Sequence, residues 1–475
     1  MFLLRVSFEN HRSFRDEKDL TFVYDRLKTS KPPEGETWAD YTSSVAVIYG
    51  PNASGKSAVI DALKYIRHTI KTSGSTRRGS KQIFRQPFAL NESSKKQPSS
   101  FALEFVIDDV RYEYGFTLTS KEFSEEWLYF YPEGRKIILF ERGINGGTLK
   151  FGRALKGGVA TLERLTGQKE LILSRGAEAN NEQLQKVYDA IVGGIVIADF
   201  NEANRQSRLR AVIEDLTEGK LKVDELILML KVADVGIAGA EVEESEMPAH
   251  LKNVFRAIYT IPDEDDSDSR DHKMSNVSSN DEPDSREGPA ARMTDEEIEA
   301  LLSEAARNLM FRHLGEGGQT YSLGTGLQST GTLTWLSLAA PAIKAIREGG
   351  VLCVDELDAS LHPQLAQVMI QMFRDKEING KNAQLVFTTH DTYFMSPASG
   401  INLAPEQIWF TEKNREGVSD LYSLSDFPVR KDENLSRRYL HGRYGAVPSV
   451  APSFLRSLTS DGEEAQVSAV EMSEV

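Results

Sequence analysis

The chain contains one cysteine, Cys353, in 475 residues. That excludes an intramolecular disulfide framework and fits a reducing compartment. No apolar run is long enough to cross a bilayer. The opening Met1-Phe2-Leu3-Leu4-Arg5 meets a charge too soon for a signal peptide. The expectation is a soluble, cytoplasmic protein with no membrane partner. Sustained a/d heptads are missing, which excludes a long coiled coil, and no repeat at solenoid periods is present. There is no His-Asn-His pattern and no Cys-rich metal site, so nuclease chemistry of those kinds is not expected. The net charge is −15, but much of it is local. Residues 261–293 hold ten acids against four bases, and 451–475 hold five acids against one base. The rest is close enough to neutral neither to exclude nor to suggest a nucleic-acid surface.

What is present is concentrated in Gly50-Pro51-Asn52-Ala53-Ser54-Gly55-Lys56-Ser57, which fits the phosphate-binding pattern G-x-x-x-x-G-K-[ST]. The apolar run Val45-Ala46-Val47-Ile48-Tyr49 reads as a buried strand entering it, and Ser57 to Ile70 reads as a helix leaving it. Glycines let such a loop turn its N–H groups toward phosphate oxygens, and the helix N-terminus adds its positive dipole end. In that pattern Lys56 reaches the β- and γ-phosphates and Ser57 ligates Mg²⁺. The competing reading is a Gly-rich turn with a chance lysine.

A second cluster lies far downstream. Val351-Leu352-Cys353-Val354 is an apolar strand ending in Asp355-Glu356, and acids at the C-terminal end of a buried parallel strand sit where nucleotide sites form. Asp355 is the expected Mg²⁺ partner, and Glu356 the expected polariser of an attacking water. Another strand, Gln384-Leu385-Val386-Phe387, runs into Thr388-Thr389-His390-Asp391, where His390 is placed to hydrogen-bond a γ-phosphate. Taken singly, an acidic pair is a weak signal and a lone histidine is more often structural.

The order of phosphate loop, Ser-Thr-Gly, acidic strand end, Leu-Asp and strand-end His resembles the ABC-type ATPase heads of the RecF, SMC and OLD proteins. So does the opening Phe2–Phe14, which reads as a strand, a turn and a second strand. A narrower similarity, to stand-alone "AAA family" ATPases of phage-defence and abortive-infection operons (the AriA, PtuA and AbiL-like group), is carried by several segments. These are Glu126–Phe130, Asp355–Pro363, Gln407–Phe410 and Gly442–Pro448. The resemblance implies an α/β fold, an ABC-type P-loop head with a mixed sheet core and an antiparallel β part. It implies ATP and Mg²⁺ as ligands, and at least a dimer with ATP held between two heads. It assigns Ser329 and Gly331 of Gln328-Ser329-Thr330-Gly331-Thr332 to a γ-phosphate contact in the partner head, though the segment is also an ordinary Ser/Thr helix cap. It adds Asp358 to the nucleotide-binding set and offers Gln86 as a metal-sensing glutamine.

The expected organisation is an N-terminal half of the head at 1–155 and a compact helical insertion lobe at 156–312. The C-terminal half of the head follows at 313–448, with an acidic tail expected to be disordered at 449–475. Phe101–Ile107 and Arg111–Phe116 read as a hairpin around Asp108-Asp109, with strands following at Trp127–Tyr131 and Lys136–Phe140. Helical periodicity appears at Glu182–Ile191, Arg205–Leu216 and Val223–Val232. Residues 261–293 lack apolar bulk and read as a disordered loop. Thr294-Asp295-Glu296-Glu297 then opens a helix expected to run to about Phe311. From Lys64 to Arg85 there are seven bases and no acid; such a stretch can bind nucleic acid, dock an acidic partner or simply be solvated. Three functions stay open at this level. One is an ATPase scaffold of an anti-phage system controlling a separate effector, such as a Toprim or RloB-like or HNH nuclease. The second is a RecF-like DNA-repair ATPase, and the third a non-enzymatic nucleotide-binding module.

Overall fold

The computed structural model describes residues 1–74, 82–158, 162–164, 166–199, 202–233, 236–244, 306–359, 361–430 and 433–448. The expected disordered loop at 261–293 and the tail at 449–475 lie outside them. The described residues fall into two compact units. One draws on Met1–Arg205 and Leu338–Val475, the other on Gln206–Ser337.

The first unit is built on two sheets. The central one has six strands in the order β16 (Ser419–Ser423), β15 (Ile408–Lys413), β3 (Val45–Tyr49), β14 (Gln384–Thr388), β13 (Val351–Val354) and β9 (Ile195–Ala198). All neighbours are parallel except the β15–β16 hairpin. Every residue of β3, β13 and β14 is buried. That is why their sequences are unbroken apolar runs rather than alternations: a parallel sheet is covered on both faces. Parallel strands also require crossovers. Between β13 and β14 the crossover is the helix Pro363–Arg374, which buries Ala366, Met369, Ile370 and Phe373 at helical spacing. His362 caps it, Nδ1 accepting from Gln364 N–H at 3.3 Å, and Pro363 opens it.

The second sheet of this unit has seven strands in the order β2 (Lys18–Thr21), β1 (Phe2–Glu9), β4 (Ser99–Ile107), β5 (Val110–Leu118), β6 (Phe123–Tyr131), β7 (Ile137–Arg142) and β8 (Lys150–Phe151). All of its pairings are antiparallel. The β4–β5 turn places Asp108 and Asp109 at φ 50° and 60°, the left-handed pair that matches the twist of a two-residue hairpin. One continuous core joins the two sheets through the helix Lys56–Thr72. Val59, Leu63 and Ile66 of the helix share it with Phe8, Phe101 and Phe116 of the antiparallel sheet and with Ala46 and Ile48 of β3. The opening segment differs from expectation in its second strand. After β1 the chain makes a tight turn, His11 and Phe14 exchanging backbone hydrogen bonds of 2.8 and 2.9 Å, and the next strand begins only at Lys18.

The second unit carries more strand than the mainly helical lobe expected at 156–312. It contains the helix Val223–Ala233 and most of Glu202–Thr217. It also contains an antiparallel sheet of β10 (Ile237–Glu244), β11 (Arg307–Leu314) and β12 (Thr320–Gly324). The helix expected to reach Phe311 is overturned over 307–311, where the chain is strand; residues 294–305 lie outside the described set. The physical reason is visible in Asn308-Leu309-Met310-Phe311-Arg312. Leu309 and Phe311 are buried while Asn308 and Arg312 are exposed, a period of two that suits a one-sided sheet.

Candidate functional site

The strand β3 delivers the chain into Gly50–Ser57 at its C-terminal end, and the helix Lys56–Thr72 carries it away. Within the loop Gly50, Ala53 and Gly55 have φ of 154°, 62° and 117°. Gly50 cannot be replaced without movement. A Cβ there would lie 2.5 Å from both the carbonyl and the hydroxyl oxygen of Thr411 and 2.6 Å from Ser54 Oγ. At Gly55 a Cβ would stand 2.8 Å from Ser419 Oγ and 3.1 Å from the Phe14 ring. The loop is thus pressed against the β15–β16 hairpin and the turn after β1. Side chains pin it there. Ser54 Oγ and Thr411 Oγ1 share a 2.6 Å hydrogen bond, and Ser419 Oγ donates to Ser54 O at 2.6 Å. Asn52, Ala53 and Ser57 stay exposed at the crest, while Pro51 is half-buried.

No side chain caps the N-terminus of the 17-residue helix, and the first backbone bond back to the loop is Ala58 N–H to Gly55 O at 3.0 Å, so the N–H groups ahead of it are placed for a ligand. Lys56 is folded back under the loop. Its ammonium donates to Gly50 O at 2.9 Å and Pro51 O at 3.0 Å, and the residue is 6% exposed. Loss of hydration pushes its pKa below the usual lysine value, and the nearby carboxylates of Glu356, Asp355 and Asp358 pull it back only in part. A buried cation flanked by three acids and two carbonyls is held ready and incompletely compensated.

The acids come from the end of β13. Thr388, the last residue of the adjacent β14, organises both. Its hydroxyl donates to Asp355 Oδ1 at 2.7 Å and accepts from the Glu356 N–H at 2.7 Å. Its carbonyl accepts from Leu357 N–H at 3.0 Å. Glu356 itself sits at φ 57°, a left-handed conformation that costs a non-glycine residue of order 1 kcal/mol or more and concentrates at functional positions. His390 follows Thr388 by two residues. Its backbone N–H donates to Asp358 Oδ2 at 3.3 Å and the residue is exposed. Asp358 Oδ1 is buried with no partner, as is the hydroxyl of Tyr49, the last residue before the loop.

The structure therefore brings together, within one unit, the loop Gly50–Ser57 and Asp355, Glu356, Asp358 and His390. Ser329 and Gly331 lie in the other unit, at the start of the helix Thr330–Glu348. There Ser329 acts as a cap, its Oγ accepting from Thr332 N–H at 3.0 Å. Gln86 lies in the loop opposite the first turn of the chain, its carbonyl accepting from Arg12 N–H at 2.7 Å. Among the described residues of the basic stretch, Lys64 pairs with Asp199 at 3.5 Å. Arg67 donates to Val192 O, and Arg85 to Gln97 O and Lys95 O. Arg77, Arg78 and Lys81 lie outside the described residues. Thr388, Thr411 and Ser419 were not singled out from sequence. Thr388 left a faint trace, a polar residue closing an apolar strand. Thr411 lies 357 positions from Ser54 and left none.

The donor set suits a hard divalent cation completed by its ligand. Ser57 offers an exposed hydroxyl and Asp355 a carboxylate oriented by Thr388. Among the described residues no group of three or more His, Cys, Asp or Glu is arranged as a metal cage. Mg²⁺ is bound in that sparse manner, with one or two protein oxygens, substrate phosphates and water.

A family model described as "AAA domain, putative AbiEii toxin, Type IV TA system" matches residues 45–154 and 239–396, more than half of the chain. The matched segments include the loop after β3 and the strand ends that carry Asp355 and His390. No curated protein matches the chain. Among the described residues no helix is long and apolar enough to cross a membrane.

Proposed function

The chain belongs to this AAA-domain family of putative type IV toxin–antitoxin proteins, and from that premise we propose that it is an ATP-hydrolysing switch of an anti-phage system. Membership implies an ATPase in general terms. The finer reading assigns roles to residues of this chain. Gly50–Ser57 cradles the phosphates, and Lys56 neutralises the β- and γ-oxygens. Ser57 and Asp355 hold Mg²⁺, which supplies charge stabilisation to the transferring phosphoryl group. Glu356 orients the attacking water and accepts its proton, His390 meets the γ-phosphate, and Asp358 fixes the His390 backbone. Ser329 and the Gly331 amide cap the nucleotide of a second copy, so that ATP favours a closed dimer and hydrolysis releases it. A ligand shifts that equilibrium only by its differential affinity for the closed state. The switch controls a separate effector, a nuclease of Toprim, RloB-like or HNH type.

The observation that best supports this reading is Lys56, a nearly buried ammonium held on two loop carbonyls with Asp355, Glu356 and Asp358 around it. A purely structural lysine gains little from that position, whereas a phosphate ligand completes it. The test is the mass of the Glu356→Gln variant by light scattering, with and without ATP and Mg²⁺. A doubling with ATP supports the switch. An unchanged monomer mass removes the assignment of Ser329 and Gly331.

A further inference from the structure

A second cavity lies at the other end of the central sheet. It is lined by residues that precede the parallel strands rather than follow them: Thr42 and Ser44 before β3, Asn379 and Asn382 before β14, and Glu406 and Gln407 before β15. Parallel strands put all those N-terminal ends on one edge, so the cavity is separated from Gly50–Ser57 by the length of the strands. Its volume is about 440 Å³, within the range of small-molecule sites.

Three bases, Arg26, Arg374 and Lys376, and two acids, Asp40 and Glu406, line it, and Lys376 pairs with Asp40 at 3.8 Å. Asp40 is already engaged, its Oδ2 accepting from Thr37 N–H at 3.0 Å and Thr37 Oγ1 at 2.9 Å. Arg26 is fixed in place, its guanidinium 5.2 Å from the Tyr24 ring and 5.1 Å from the Tyr41 ring, with a hydrogen bond to the Asp40 carbonyl. Arg374 is half-buried and donates to Asn402 O at 3.1 Å. It has no carboxylate within ion-pair distance among the described residues, and lost hydration pushes its pKa down. Asn382, which also lines the cavity, has its Nδ2 buried without a partner. A desolvated guanidinium and an orphaned amide donor lining the same cavity are what an anion would satisfy.

Two other amides that line the cavity are already paired. Asn379 donates from Nδ2 to Phe373 O at 2.7 Å and to Ala383 O at 2.8 Å, and its Oδ1 accepts from Ala383 N–H at 2.7 Å. Gln407 Nε2 donates to Ser43 Oγ at 2.9 Å. Asn379 and Gln407 are thus satisfied, and what remains for a ligand is Arg374 and the Asn382 amide.

We propose that this cavity is a binding site for a small organic phosphate of nucleotide size, distinct from the phosphate loop. The phosphoryl group sits against Arg374 and Asn382, a planar guanidinium being well matched to paired phosphate oxygens. Tyr24, with Arg26 over its ring, lines the same cavity.

The experiment is calorimetric titration of the full-length Lys56→Ala protein, which removes the loop's own lysine, with AMP, inorganic phosphate and citrate as separate probes. The site predicts saturable one-to-one binding of AMP, weakened at least tenfold by Arg374→Gln and also by Asn382→Asp, which adds a repelling charge with little change of shape. Both variants are checked for an unaltered melting profile. If Arg374→Gln melts early, Asn382→Asp alone decides. No binding of AMP at millimolar concentration overturns the proposal. So does AMP binding that neither variant weakens, which would locate it elsewhere. Citrate binding more tightly than AMP and phosphate overturns the phosphate assignment.

Discussion

Thr388→Val is the most informative single change at the site. Valine keeps the shape of threonine and the β-propensity of β14 but removes one hydroxyl. That hydroxyl is the donor to Asp355 Oδ1 and the acceptor of Glu356 N–H, both at 2.7 Å. Its loss strands one acceptor and one amide donor. A fully buried unsatisfied group costs about 1–3 kcal/mol. Asp355 is only half-buried and Glu356 is exposed, so water recovers part of this and the expected stability loss is about 1–2 kcal/mol. The effect on turnover is larger in proportion. Groups that orient a metal-ligating carboxylate typically contribute about 10–100-fold to affinity or activity, equivalent to about 1.4–2.7 kcal/mol of barrier. The assay is steady-state ATP hydrolysis over a Mg²⁺ titration, for native protein, Thr388→Val and Thr388→Ser. Valine is expected to raise the Mg²⁺ requirement and lower the rate by that factor, and serine to restore most of both. A valine variant within twofold of native at every Mg²⁺ concentration refutes the reasoning, because a merely structural hydroxyl would move stability and leave the metal dependence alone.

Other expectations follow from the same geometry. Gly50→Ala should abolish Mg²⁺-dependent nucleotide binding while leaving a folded protein, since the added Cβ at 2.5 Å from Thr411 displaces the loop from its hairpin; fluorescent-nucleotide titration with and without Mg²⁺ and circular dichroism check both halves. Glu126 is fully buried and accepts from Arg142 at 2.9 Å, Tyr114 at 3.1 Å, Ile172 N–H at 2.7 Å and Leu173 N–H at 3.1 Å. Glu126→Ala leaves Arg142 uncompensated and should cost about 3–5 kcal/mol in urea unfolding, with Glu126→Leu/Arg142→Met recovering much of it. Asp61 is subject to burial, which raises its pKa, but hydrogen bonds and charge from His11 and Arg12 outweigh that and hold it below the usual value. A depressed carboxylate stabilises the fold above its unfolded pKa and loses that contribution as pH falls through the folded one. The stability gap between native and Asp61→Asn should therefore be full at pH 7 and close below about pH 4.

How far the sequence carries is uneven, and the reason is contact distance. The loop Gly50–Ser57, its strand and its helix were legible because the signal is local: a buried strand, a turn chemistry and a helix in a dozen residues. The hairpin around Asp108-Asp109 was legible for the same reason. Asp355 and His390 were legible as strand ends once β13 and β14 were recognised as apolar runs. What pins the loop was not legible. Thr411 and Ser419 reach Ser54 across more than 350 residues, and no local pattern announces that pairing. The strand β11 is hard to read from sequence because the helix start at Thr294 carries a helical pattern forward, while the alternation over Asn308–Arg312 is short and includes a partly buried Met310. Glu126 was noticed only within a stretch of family similarity; nothing in Glu126-Trp127-Leu128 indicates a buried carboxylate binding the first amides of a helix 46 residues on.

The central claim is that Gly50–Ser57 and Asp355-Glu356 form one nucleotide-hydrolysing site. The most direct test is phosphate release from ATP by purified full-length protein, measured for native, Lys56→Ala and Glu356→Gln, beside binding of radiolabelled ATP by each. The account predicts Mg²⁺-dependent release by the native protein, loss of release and of Mg²⁺-dependent ATP binding with Lys56→Ala, and binding without release with Glu356→Gln. Release by Glu356→Gln at the native rate, or ATP bound equally well by Lys56→Ala, contradicts it.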